Sequence, residues 1–170
     1  MRETFFYNSP VGTLAITCNT HAVESLLFTD AEPAAKNFSN PALPATVPAF
    51  ETSKKCLQQL DDYFAGKNFL FTLNIRQSGT DFQQAVWSAL STIKPGTTIS
   101  YLQLSRQLGN TKAIRAAGTA NGKNKVAIII PCHRVIGSNG KMVGYAGGLW
   151  RKQWLLEHEA KFLAGMQLLF

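Results

Sequence analysis

Ser100-Tyr101-Leu102-Gln103-Leu104-Ser105-Arg106-Gln107-Leu108-Gly109-Asn110-Thr111-Lys112-Ala113-Ile114-Arg115-Ala116-Ala117-Gly118-Thr119-Ala120-Asn121-Gly122 is the stretch that decides the fold. Ser100 is a good helix cap, and the helix it opens, Tyr101–Leu108, ends at Gly109-Asn110, residues that accept the left-handed backbone of a helix terminus. A second helix follows from about Lys112. Two short helices joined by a tight glycine-containing turn form a helix-turn-helix pattern, although helical proteins contain many such pairs. The second helix is unusual in its composition. A major-groove reading helix needs several long polar side chains, and here Arg115 is the only one in the interior, among Ala, Gly and Thr. Such a helix either packs tightly against a neighbour or is narrow enough for its backbone to enter a minor groove. In the second case Arg115 would fill the gap left by an extruded nucleotide.

Downstream lies Ile130-Pro131-Cys132-His133-Arg134-Val135. The apolar run Val126–Ile130 reads as a short buried strand, and Pro131, which cannot donate a ladder hydrogen bond, should end it and hand the thiol to a cleft. A histidine and an arginine follow directly, and both favour thiolate over thiol. A cysteine next to a histidine is by itself more often an inert core residue.

Further outward, Thr80 or Asp81 caps a helix with Phe82, Val86, Ala89, Leu90 and Ile93 on one face, closed by Pro95-Gly96. The preceding part, to about Ser78, reads as a small α/β unit. Phe5–Tyr7 and Leu14–Cys18 form short strands joined through Asn8–Gly12, and Val23–Phe28 adds a third. Ala31–Pro48 reads as an irregular proline-rich loop, and Phe50–Phe64 has helical spacing at Leu57, Leu60 and Phe64. The expected domains are therefore residues 1–78 and 79–170, the first without a visible reactive constellation.

The chain has 170 residues, 45% hydrophobic and 16% charged, which is ordinary for a soluble globular protein. It carries no apolar stretch of membrane-spanning length and no secretion signal at its start. Three widely spaced cysteines fit a reducing cytoplasm better than a disulfide framework. The net charge of +7 is placed unevenly. Residues 1–85 hold 6 Lys/Arg against 8 Asp/Glu, and residues 86–170 hold 11 against 2. Between Asp81 and Glu157 there are ten basic residues and no carboxylate. That one-sign field suits a polyanion, nucleic acid before an anionic membrane, because no amphipathic basic helix supports the membrane.

Taken together these residues resemble the O6-alkylguanine-DNA alkyltransferases. The resemblance is carried by Pro131-Cys132-His133-Arg134-Val135, Asn124 eight residues earlier, Arg115, Ser100-Tyr101, Gly144-Tyr145-Ala146-Gly147-Gly148 and Trp154-Leu155-Leu156-Glu157-His158-Glu159. It is dense over residues 79–163. It is looser in the first part, through Ser9-Pro10-Val11-Gly12-Thr13-Leu14 and Tyr63-Phe64-Ala65-Gly66. It implies a ribonuclease-H-like N-terminal domain, a small sheet plus a helix, followed by a mainly helical, winged helix-turn-helix-like C-terminal domain. It also implies irreversible, single-use transfer of an alkyl group to Cys132 from O6 of guanine, less readily from O4 of thymine, after flipping of the damaged nucleotide.

The implied catalytic set is Cys132, His133, Glu159, Tyr101 and Asn124. Oxygen-to-sulfur methyl transfer needs a thiolate, and a free thiol with a pKa of about 8.5 offers little at neutral pH. Glu159 would orient His133 as the base, reaching Cys132 through a water if the segment is extended. Tyr101 would protonate the leaving base, and the Asn124 amide would hold the cysteine loop. The resemblance further implies double-stranded DNA bound through the minor groove by Arg115, Ala113, Ala116, Gly118 and Thr119, with Lys123, Lys125 and Arg134 in support. Pro131, Val135, Tyr145, Ala146 and Gly147 would line the pocket, a backbone N–H near Ala146 facing O6.

Three positions depart from the pattern. Lys125 and Thr111 stand where prolines are usual, and Ala146 stands where some relatives carry a hydroxyl. Some relatives bind zinc in the N-terminal domain, but Cys18 and His21, with Cys56 on a helix, make an incomplete ligand set, so no metal is expected. No glycine-rich nucleotide fingerprint is present, so no adenosylmethionine or other cofactor is expected. A monomer suffices. A Cys-His hydrolase and a DNA-damage sensor without turnover stay open as rival readings.

Overall fold

The computed structural model describes residues 1–29 and 48–167. The expected loop at Ala31–Pro48 thus lies almost wholly outside the described residues. The chain divides into two compact units, Met1–Gln77 and Ser78–Phe170.

In the first unit, β1 (Arg2–Ser9), β2 (Gly12–Asn19) and β3 (Val23–Phe28) form an antiparallel meander in the order β1-β2-β3. Alternation decides its faces: Leu14, Ile16 and Cys18 of β2 point inward with Phe5, Val23 and Leu26. Pro10-Val11 makes the first turn. Gly12 leaves it with φ +110°, a backbone open to glycine, and the Ser9 hydroxyl donates to the Gly12 carbonyl at 2.6 Å. Helix α1 (Glu51–Phe64) presents Ser53, Cys56, Leu60 and Tyr63 to the core, a helical stripe. The Glu3 carboxylate accepts from Ala49 N–H and Phe50 N–H, both at 2.9 Å, and so fixes the start of that helix.

In the second unit, α2 (Asp81–Ser91) and α3 (Tyr101–Gln107) each begin with a capping box, Thr80 with Gln83 and Ser100 with Gln103. Each box satisfies two helix-end donors and stabilises by about 1 kcal/mol. Gly109 turns the chain at φ +73° and α4 (Ile114–Gly122) follows. The Trp87 indole N–H donates to the Ala120 carbonyl at 2.9 Å, tying α2 to α4. Short parallel strands β4 (Ile99–Ser100) and β5 (Val135–Ile136) pair Ile99 with Val135, which brings the start of α3 to the cysteine segment. The long helix α5 (Leu149–Gln167) follows the glycine-rich segment 144–148. The small sheet with its helix, followed by a mainly helical unit, is the architecture the sequence led one to expect.

Two local expectations are corrected. Residues 127–129 form a turn between a single bridge residue, Val126, and a bend at Ile130, not a strand, and Ile128 takes φ +70°, costly for a β-branched residue. The run is apolar because it is buried, not because it pairs in a sheet. Residues Cys132–Arg134 form one turn of 3-10 helix, so the argument from alternating directions on an extended segment does not apply to Cys132 and His133.

Candidate active site

The start of the 3-10 turn puts Cys132 in an almost closed position, 6% exposed. Its sulfur accepts from Asn124 Nδ2 at 3.3 Å. The same amide nitrogen reaches the Ile130 carbonyl at 2.9 Å and the Val126 carbonyl at 3.3 Å, while Asn124 Oδ1 takes the Val126 N–H at 3.0 Å. One side chain thereby satisfies the polar backbone of the buried turn that carries the strained Ile128. Asn121 on α4 donates to the Cys132 carbonyl at 3.4 Å and to the Tyr101 hydroxyl at 3.5 Å.

Glu159 on α5 is wholly buried. Its Oε1 meets His133 Nε2 at 2.8 Å, and its two oxygens receive the Arg134 fork at 2.9 and 3.0 Å. Gly96 N–H adds a bond at 3.0 Å. Burial by itself raises the Glu159 pKa, but His133 and Arg134 outweigh it and hold the carboxyl well below its usual range. Burial holds the His133 pKa below its ordinary value despite the pull of Glu159. The imidazole is therefore neutral at pH 7, with Nε2 as the donor to Glu159. That tautomer leaves Nδ1 as an unprotonated base, and it is buried without a hydrogen-bond partner among the described residues. Cys132 and His133 share no direct hydrogen bond there.

Arg134 corrects the reading that placed it on DNA. It is 4% exposed, and besides Glu159 its guanidinium donates to the Ile93 carbonyl at 2.6 Å. A cation enclosed in this way and turned onto Glu159 does not reach a phosphate at the surface.

Lys152 was missed in the sequence. This α5 residue is fully buried, and its ammonium donates to the carbonyls of Val135 at 2.6 Å, Val143 at 2.9 Å and Gly144 at 3.3 Å. Burial pulls its pKa down to about 8, with the Cys132 anion acting against that shift. For Cys132, burial pushes the thiol pKa up, opposed by the Asn124 hydrogen bond, the Lys152 charge and local backbone N–H groups. The resting sulfur is thus mainly thiol, in a setting that stabilises an anion once a base removes the proton. A signal for Lys152 did exist: Lys152, Leu155 and Glu159 share one helical face, so a core stripe includes two charged residues.

Tyr101 opens α3, and its hydroxyl donates to the Val143 carbonyl at 3.3 Å, the acceptor it shares with Lys152. Burial and then the Cys132 charge raise its pKa. The same two causes raise Tyr145 well above its usual value. Pro131 and Val135 are buried, Gly147 is buried, and Ala146 is exposed. On α4, Arg115, Ala116 and Thr119 are exposed and Ala113 and Gly118 half-buried, while Lys123 and Lys125 are exposed beyond its end. A Cβ at Gly118 would sit 3.7 Å from the Tyr101 ring, an ordinary van der Waals contact, so an alanine would fit against α3 there. Among the described residues no cluster of three or more His, Cys, Asp or Glu could hold a metal ion, and no helix is long and apolar enough to cross a membrane.

A small sheet unit followed by a helical unit that encloses a cysteine, an asparagine and a His–Glu pair defines a class of two-part proteins built around one buried cysteine site. Residues 2–77 match the model of the 6-O-methylguanine DNA methyltransferase ribonuclease-like domain, and residues 81–161 match that family's DNA binding domain. The chain belongs to the 6-O-methylguanine DNA methyltransferase family. A methylated-DNA–protein-cysteine methyltransferase of Mycobacterium leprae (strain TN) is 41% identical over 152 residues, 89% of this chain and 88% of the relative. Its counterpart in Shigella flexneri is 52% identical over 106 residues, so the match spans 62% of this chain and 62% of that relative. A crystal structure of Mycobacterium tuberculosis OGT in complex with DNA is 39% identical with a TM-score of 0.78, covering 92% of each chain.

Proposed function

We propose that this protein repairs duplex DNA by direct reversal, moving an alkyl group from O6 of guanine, and less readily from O4 of thymine, to Cys132. The observation that carries the reading is the Cys132 thiol held by Asn124 within a unit whose His133 is a neutral base anchored on buried Glu159. His133 Nδ1 takes the thiol proton, through a water, as the alkyl carbon is attacked. Asn124 and Lys152 favour the thiolate. The carbon–oxygen bond breaks with its electron pair on the guanine, and the Tyr101 hydroxyl supplies a proton to the departing base. The resulting thioether has no leaving route, so each molecule acts once. The basic face carries the duplex, with α4 entering the minor groove through Arg115, Ala113, Ala116, Gly118 and Thr119, flanked by Lys123 and Lys125. Arg115 holds the place of the flipped nucleotide, and Tyr145, Ala146 and Gly147 wall the pocket. The protein acts as a monomer in the cytoplasm. A Cys-His hydrolase would need the imidazole bonded to the sulfur, and here the amide of Asn124 occupies that contact.

Counting O6-methylguanine lost from duplex DNA against protein added tests this. The loss should saturate at one lesion per protein, and Arg115→Ala should slow reaction on duplex far more than on the free modified base. Lesions removed in excess of protein, or equal slowing on both substrates, would contradict the single-use and wedge roles respectively.

A further inference from the structure

Asn121, in the last turn of α4, makes and breaks no covalent bond, yet its side chain touches both ends of the reaction. It is buried, and its amide nitrogen reaches the Tyr101 hydroxyl oxygen at 3.5 Å and the Cys132 carbonyl at 3.4 Å. A backbone carbonyl only accepts, so the nitrogen and not the oxygen of the amide must face Cys132. That leaves Asn121 Oδ1 closed off without a hydrogen-bond partner among the described residues. An orphaned buried acceptor costs stability, and an apolar side chain of the same size would avoid that cost. What the amide supplies that a leucine would not is two N–H donors. The Cys132 carbonyl fixes the way the amide turns, and the second donor falls to Tyr101.

The same face of α4 fits the whole length of Tyr101. Gly118, one turn earlier, lies against the ring, where a Cβ would sit 3.7 Å away, and Asn121 meets the hydroxyl. The hydroxyl hydrogen goes to the Val143 carbonyl at 3.3 Å, which Lys152 also holds at 2.9 Å. The Asn121 N–H stays on the phenol oxygen whichever way that hydrogen turns. Burial, then the Cys132 charge, raise the Tyr101 pKa, and the Asn121 hydrogen bond opposes them.

We propose that Asn121 is a positioning residue for alkyl transfer, aiming the Tyr101 hydroxyl hydrogen at the departing base and holding the phenolate left behind. The role presupposes the repair reaction at Cys132. As the carbon–sulfur bond forms, the carbon–oxygen bond breaks with its electron pair on the base, and the Tyr101 proton follows that pair. The charge then on the phenol oxygen strengthens the Asn121 bond, since an ionised acceptor draws a donor closer and holds it about twice as strongly as a neutral one. Contacts of 3.4 and 3.5 Å have room to tighten in this way. Water returns the proton to the phenolate afterwards.

A double-variant cycle tests this, with single-turnover methyl transfer from duplex DNA containing O6-methylguanine measured at saturating DNA. Asn121→Leu, which keeps the volume and removes the donors, should slow transfer about tenfold, with the DNA concentration at half-maximal rate unchanged. Tyr101→Phe should be slower still, and adding Asn121→Leu to it should cost less than about twofold more. Equal slowing by Asn121→Leu with and without the Tyr101 hydroxyl overturns the proposal, because a residue that only packs α4 or fixes the cysteine segment acts regardless of that hydroxyl. Undiminished transfer in either single variant overturns it too. Should Asn121→Leu not fold, Asn121→Asp, which keeps the shape and loses both donors, takes its place in the cycle. Failure of the wild type to transfer any methyl would instead contradict the repair reaction itself, so the two failures are distinct.

Discussion

Lys152 shows how one buried charge can serve two ends. Its ammonium gathers three carbonyls from β5 and the segment before the glycine turn, and its field acts on Cys132. Lys152→Met should raise the titration point of the Cys132 thiol, read from the pH dependence of its alkylation by iodoacetamide. Methyl transfer should slow about tenfold for each pKa unit lost in the support of the anion. An unchanged thiol titration with slowed transfer would leave Lys152 only its clamping role. The inward role of Arg134 was not legible in the sequence, and that of Lys152 only through its place on the helical face of Leu155 and Glu159. Both are basic residues in a basic half, and linear charge does not distinguish a side chain facing phosphate from one facing a carboxylate 25 positions later.

At the scale of elements, the helices were legible because capping and period agree: Thr80 with Gln83, Ser100 with Gln103, and the terminator Gly109 are local signals. The segment at 126–130 was not legible. Its apolar residues satisfy no period, and the Val126 N–H and the Val126 and Ile130 carbonyls are answered by the side chain of Asn124. The helix α5 is joined to the 3-10 turn and to the end of α2 through Glu159, Arg134 and the Ile93 carbonyl. Removing the guanidinium leaves a buried carboxylate short of partners. Arg134→Ala should therefore destabilise the second unit by about 3 kcal/mol in denaturant unfolding. A change below about 1 kcal/mol, with weakened DNA binding, would return Arg134 to the surface role the sequence suggested.

For the molecule as a whole, stability should follow the buried titrating groups of the second unit. His133 has a folded pKa below the usual 6.5, so its contribution is complete above that pH and is lost as pH falls toward the folded value. Glu159 is also held below its usual 4.5 and adds a second loss in stronger acid. Lys152 acts at the other end: the unfolded chain binds its proton more tightly, so stability gains as pH rises from about 8 toward 10.5. Denaturant midpoints measured across this range should fall from pH 7 to pH 5, and a flat profile there would contradict a neutral, buried His133. The two-part architecture was readable from motif order along the chain, which also drew attention to Cys132. The electrostatics that poise it were not, because they depend on which charges fold inward. The central claim is that Cys132 is a consumable acceptor. Intact-mass analysis after incubation with duplex DNA containing O6-methylguanine should find one added methyl per molecule, mapped to Cys132 and absent in Cys132→Ser. An unmodified wild-type mass, under conditions where the DNA is bound, would contradict it.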